Sequence, residues 1–166
     1  GGYLDNTSAG AAWVFTRTSG TWAQQGAKLV GTGATGATIE QGRGVALSAD
    51  GNTLAIGGSS DSTLVGAIWV FTRTSGTWTQ QGSKLLGTGL VNQPGLGYST
   101  SLSGDGNTLA GGAYNDNSSI GAVVIFTRSN SVWTQSGTKL VGTGSTGAVI
   151  RQGTSVALSA DASVLG

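Results

Sequence analysis

Gly66-Ala-Ile-Trp-Val-Phe-Thr-Arg-Thr74 decides the fold, because the chain contains it three times. It occurs first as Gly10-Ala-Ala-Trp-Val-Phe-Thr-Arg-Thr18 and last as Gly121-Ala-Val-Val-Ile-Phe-Thr-Arg-Ser129, at offsets of 56 and 55 residues. Aromatic and β-branched residues fill it with no helical period, so it reads as a β-strand. A fixed period of this length is the mark of a repeat architecture.

Three further blocks recur in step. Thr21-Trp-Ala-Gln-Gln-Gly-Ala-Lys-Leu29 returns at Thr77 to Leu85 and at Val132 to Leu140. It is more polar, as an outer strand with a solvated face would be. Val45-Ala-Leu-Ser-Ala-Asp50 returns at Thr100 to Asp105 and Val156 to Asp161. Its short apolar start reads as a strand buried on both faces. Asn52-Thr-Leu-Ala-Ile56 returns at Asn107 to Gly111 and, degenerate, at Ser163 to Leu165. Thr18-Ser-Gly-Thr21 and Ala49-Asp-Gly-Asn52 lie between blocks as tight turns, since glycine supplies a positive φ. Each repeat therefore holds two hairpins, a four-stranded antiparallel unit of about 55 residues. Four strands per repeat is the pattern of a β-propeller blade. The expected fold class is all-β, with no helix. The expected division is an N-terminal half-blade over 1–40, repeats at about 41–95 and 96–151, and a C-terminal half-blade over 152–166.

Composition removes several functions. With no Cys and no His among 166 residues, the chain lacks Cys nucleophiles, Ser-His triads and ordinary zinc ligands. A net charge of +1 without a basic run gives nucleic acid no electrostatic footprint. Apolar runs such as Ala67 to Phe71 are too short to span a bilayer, so membrane insertion is not expected. The seven acidic residues sit in turn-like places, which argues against a pair of carboxylates facing one cleft and hence against an enzyme.

These blocks resemble FG-GAP repeats, the blades of the integrin α-chain head and of bacterial surface proteins. The Phe-Gly position of that family matches Gln41-Gly42, Leu96-Gly97 and Gln152-Gly153. Its Gly-Ala-Pro position matches Gly1-Gly2-Tyr3, Gly57-Gly58-Ser59 and Gly112-Ala113-Tyr114, with glycines kept and Phe and Pro replaced. The resemblance covers the whole chain. It implies a non-catalytic binding, adhesion or structural module outside the cell or on its surface. Calcium-binding members carry loops with several Asp or Asn, because the ion takes six to eight oxygens. The corresponding Ser48-Ala-Asp-Gly-Asn52 has one of each, so no cofactor is expected and calcium is not supported.

Twelve of the 15 charged residues form four repeat columns: Asp5, Asp61 and Asp116; Asp50, Asp105 and Asp161; Arg17, Arg73 and Arg128; Lys28, Lys84 and Lys139. Glu40, Arg43 and Arg151 stand outside them. The second column reads as turn chemistry. Asp5, Asp61 and Asp116 lie in variable loops and are the candidate ligand-binding positions. Trp22, Trp78 and Trp133 recur on the polar strand, as candidate sugar-stacking rings or as packing between blades. A lectin with one site per blade is thus an alternative function. Asn6-Thr-Ser8 and Asn117-Ser-Ser119 match the N-glycosylation pattern. Gly1 aligns with Gly57 and Gly166 with Ala55, so the two ends read as complementary parts of one blade. The expected partner is the chain itself, as a dimer closing six blades or, if the rotation does not close, a head-to-tail fibre. The protein or glycan ligand is not named by the sequence.

Overall fold

A computed structural model describes residues 1–166, and the chain is all-β. Two four-stranded antiparallel sheets are complete. The first joins β3 (Gln41–Leu47), β4 (Thr53–Gly58), β5 (Ala67–Thr74) and β6 (Thr77–Gln80) in that order. The second joins β7 (Leu96–Leu102), β8 (Thr108–Ala113), β9 (Ala122–Ser129) and β10 (Val132–Gln135) in the same way. Ahead of them β1 (Phe15–Thr18) and β2 (Thr21–Gln24) form a two-stranded sheet. Residues 152–166 contribute only isolated bridges, at Gln152 and between Leu158 and Leu165. The quoted block is thus the strand next to the outer edge of each sheet, and its pairing register is the same in both complete copies: Leu54 faces Phe71 as Leu109 faces Phe126.

Turn chemistry sets the hairpins. Ser19 and Gly20 both have positive φ, 49° and 86°, as do Ser75 and Gly76. Two positive φ values in a two-residue loop match the twist of the strands on either side.

Burial corrects one expectation. Val45 and Leu47 are exposed, while every residue of β4 is buried. The reason is the neighbouring unit: Leu47 shares the face of Leu54, which meets the two-stranded first unit, whereas its equivalent Leu102 on β7 meets the four-stranded second unit and is only 8% exposed. A second correction concerns helices. Asp5–Ser8, Asp61–Leu64 and Asp116–Ser119 form one-turn helical segments, α1 to α3. Their inner residues are left-handed, with φ of 53° and 60° at Ser62 and Thr63. Left-handed backbone has no signature in side-chain periodicity, so the sequence pattern did not show these turns.

Successive units are joined near their first strands by parallel bridges, Gly10 with Gln41, Gly66 with Leu96 and Gly121 with Gln152. The core lies between units. Ala12, Val14 and Leu29 of the first pack against Leu54, Ile56, Trp69 and Phe71 of the second. Ile68, Val70 and Leu85 of the second pack against Leu109, Val124 and Phe126 of the third. Alternation explains this arrangement: along the repeated strand, odd and even residues point to opposite faces and so to different neighbours. Each fully buried ring or branched chain stabilises the stack by roughly 1.5–3 kcal/mol.

Candidate functional site

The Asp and Lys columns meet. Lys28 pairs with Asp5, Lys84 with Asp61 and Lys139 with Asp116, always 23 residues apart. Asp61 and Asp116 are fully buried. Asp61 also accepts the Thr35 N–H at 2.7 Å, and Asp116 the Val91 N–H at 2.7 Å, both from the loop of the preceding unit. These carboxylates tie a lysine, a left-handed turn and a neighbouring loop together. Left-handed residues cost roughly 1–2 kcal/mol each, and a buried anchor is what holds such a turn in place. The first column, expected at a ligand surface, therefore lies beneath it, with only Asp5 partly exposed.

The second acidic column is exposed, but its carboxylates are engaged within their own turns. Asp50 accepts the Ser48 hydroxyl at 2.5 Å and the Asn52 N–H at 2.9 Å. Asp105 repeats the pattern with Ser103 and Asn107, and Asp161 with Ser159 and Ser163. The serine hydroxyl bond, then the backbone bond, holds each carboxyl below its usual range, down to about 2 at Asp161. Arg73 and Trp78 both donate to Gln25 Oε1 of the preceding unit, each at 3.1 Å. Arg128 and Trp133 do the same to Gln81, at 3.2 and 2.9 Å. Two matching recesses of about 250 and 260 Å³ open beside these tryptophans, edged by Lys28 and Lys84. Trp22, on the two-stranded sheet, is 64% exposed. So two candidate stacking rings sit at junctions between units, and only Trp22 presents its face broadly to solvent.

Arg43 departs from the repeat. Its column holds Tyr98 and Thr154 in the other units. The guanidinium lies 4.4 Å from the ring centre of Tyr3 and 4.5 Å from that of Tyr98. Its Nη2 donates to Tyr98 Oη at 3.0 Å. Burial disfavours its charge, but the bond to Tyr98 and its attraction outweigh that and raise the pKa. The group opens on a hollow of about 500 Å³ that also takes in Ser99, Thr100 and Ser155. Thr100 Oγ1 is buried there without a hydrogen-bond partner. The first strands of successive units come together at this place, so different residues at one repeat position face one another. The result is a guanidinium held by two rings, among hydroxyls. It can receive an anionic group; it offers no nucleophile-base pair.

Sequence reasoning set Arg43 apart from the columns without giving it a role. The signal was that very break in the repeat, because an asymmetric site in a repetitive chain must draw on the positions that differ. No group of acidic residues is arranged to hold a metal ion, and no helix is long and apolar enough to cross a membrane. Neither a protein-family model nor a curated protein matches the sequence.

Proposed function

We propose that the protein is a non-catalytic binding scaffold of propeller-type blades, FG-GAP-like in its repeat, acting outside the cell or at its surface. Its recognition centre is Arg43 with Tyr3 and Tyr98, and the group it takes is an anion such as a carboxylate. One observation carries this reading. The charges that repeat are engaged in turns, latches and junctions, while Arg43 alone of the non-repeating charges lies in the broad polar hollow. A guanidinium held by contacts with two rings loses little freedom on meeting a carboxylate, which favours binding.

The test is a screen of purified protein against an array with acidic glycans and a panel of acidic peptides, followed by calorimetry. The expected result is binding of carboxylate-bearing probes that falls at least tenfold in Arg43→Gln and weakens with salt. Binding that Arg43→Gln leaves intact would move the site elsewhere. A lectin reading with one site per junction has support from the two matching recesses at Trp78 and Trp133. It predicts binding of neutral sugars that Trp78→Ala removes and Arg43→Gln leaves unchanged.

A further inference from the structure

One loop of each unit arches against the left-handed turn of the next, and the two ends of the arch are pinned alike at two junctions. Where the first unit meets the second, Thr35 donates its N–H to Asp61 Oδ1 and accepts the Ser62 N–H, both at 2.7 Å. Ile39 accepts the Ser60 N–H at 3.2 Å. Where the second unit meets the third, Val91 is bonded to Asp116 and Asn117 in the same way, and Pro94 accepts the Asn115 N–H at 3.1 Å. Gly36, Ala37 and Thr38 span the pinned points of the first junction, whereas only Asn92 and Gln93 span those of the second.

The shorter arch is closed by side chains. Asn115 Nδ2 donates to Gln93 O at 3.0 Å, Ser119 Oγ donates to Asn115 Oδ1 at 2.7 Å, and Asn92 Nδ2 donates to Ser118 Oγ at 3.4 Å. The longer arch stays open. Ser60 and Leu64 stand where the third unit has Asn115 and Ser119, and neither makes a side-chain bond across the gap. Gly36, at a φ of 119° that other residues rarely adopt, lets the arch stand away from the turn. A recess of about 270 Å³ results, edged by Gly36, Ala37, Thr38, Ser60, Thr63 and Leu64. Ser60 is only 7% exposed, yet its hydroxyl neither caps α2 nor bonds any other protein group. A polar group so deeply buried ordinarily has a partner, and the recess is where one fits. Thr38 and Thr63 add two exposed hydroxyls at the rim.

We propose that this recess binds a neutral ring bearing several hydroxyls, the size of a single hexose, with Ser60 Oγ as its inner hydrogen-bond partner. The site shares no residue with the Arg43 hollow or with the recesses at Trp78 and Trp133, so it stands whether or not Arg43 binds an anion. Charge decides against an ion. The nearest cation, Lys84, is committed to Asp61, and Asp61 is itself fully buried and bonded. An anion or an ammonium group would meet no free counter-charge. An apolar occupant would seal the Ser60 hydroxyl away from water unpaired, which is unfavourable. Serine and threonine hydroxyls donate and accept, as sugar hydroxyls do, while Ala37 and Leu64 offer aliphatic surface to ring C–H groups. Pockets for drug-sized ligands start at about 300 Å³, so a recess of about 270 Å³ takes one ring and leaves the rest of a longer glycan in solvent.

Titration of the isotope-labelled chain with glucose, galactose and mannose, followed by heteronuclear NMR, tests this. At least one of the three should shift the amides of Ala37, Thr38, Ser60 and Thr63 together. Ser60→Asn places at the second unit the residue that closes the recess of the third, and should weaken that sugar by at least about tenfold. Ala37→Leu fills the recess from the exposed arch and should do the same without touching the pinned ends. Circular dichroism and the urea midpoint check that both variants fold. Binding of acidic probes at Arg43 should be the same in Ser60→Asn as in the unaltered chain, which separates the two sites. The proposal is overturned if none of the three hexoses shifts these amides, or if binding survives both Ser60→Asn and Ala37→Leu. Hexose binding abolished by Trp78→Ala or by Arg43→Gln, with Ser60→Asn unaffected, would also overturn it by moving the site to those recesses.

Discussion

Asp61 and Asp5 occupy one repeat position and pair with equivalent lysines, yet they differ in burial. Asp61 is fully buried and Lys84 mostly so, whereas Asp5 and Lys28 are both substantially in water. Removing one partner of a buried pair strands the other charge, at a cost of about 3–5 kcal/mol. Removing one partner of an exposed pair costs about 0–1 kcal/mol. Lys84→Met should therefore lower the urea-unfolding free energy by several kcal/mol, and Lys28→Met by less than one. Equal losses in the two variants would show that the latch does not depend on burial. The 23-residue spacing of these columns was present in the sequence, but with no view of which strands lie side by side it did not reveal a pair. Distance along the chain says little about distance in space when a hairpin and a loop intervene.

At the scale of the element, the hairpin joining the first two strands of each sheet depends on an ionised aspartate. The folded-state pKa values of Asp50, Asp105 and Asp161 lie below the ordinary 3.8, so the fold favours the charged form. That stabilisation is complete above about pH 4 and is lost as pH falls through the folded-state values, near 2 for Asp161. Stability should fall between pH 4 and 2, seen as a drop in the urea midpoint. Asp105→Asn should be less stable at neutral pH and should show a shallower acid drop. An unchanged acid profile in Asp105→Asn would exclude this turn as a cause. These turns were legible from Ser, Asp, Gly and Asn in order, because their bonds are local. The left-handed turns α1 to α3 were not, because they rest on partners from another strand and another unit.

The units of the whole molecule are held closely by glycines that a family resemblance had marked only as matching positions. Gly42, Gly97 and Gly153 have φ of 87°, 87° and 80°, and each lies against the backbone of the neighbouring unit. Gly57 approaches so closely that a Cβ would overlap the Gly97 carbonyl. Gly57→Ala must push the second and third units apart and should cost about 1–3 kcal/mol, read as a lower urea midpoint. A neutral result would mean that the units shift without loss. The sequence by itself determined the strands, their hairpins and the repeat, because side-chain alternation and turn residues act over a few neighbours. It also separated Arg43 from the repeating charges. Only the tertiary structure decided which columns pair, which strand is an edge and which is buried, and that Arg43 lies between Tyr3 and Tyr98. Those facts come from the packing of one unit on the next, where residues about 55 positions apart become neighbours.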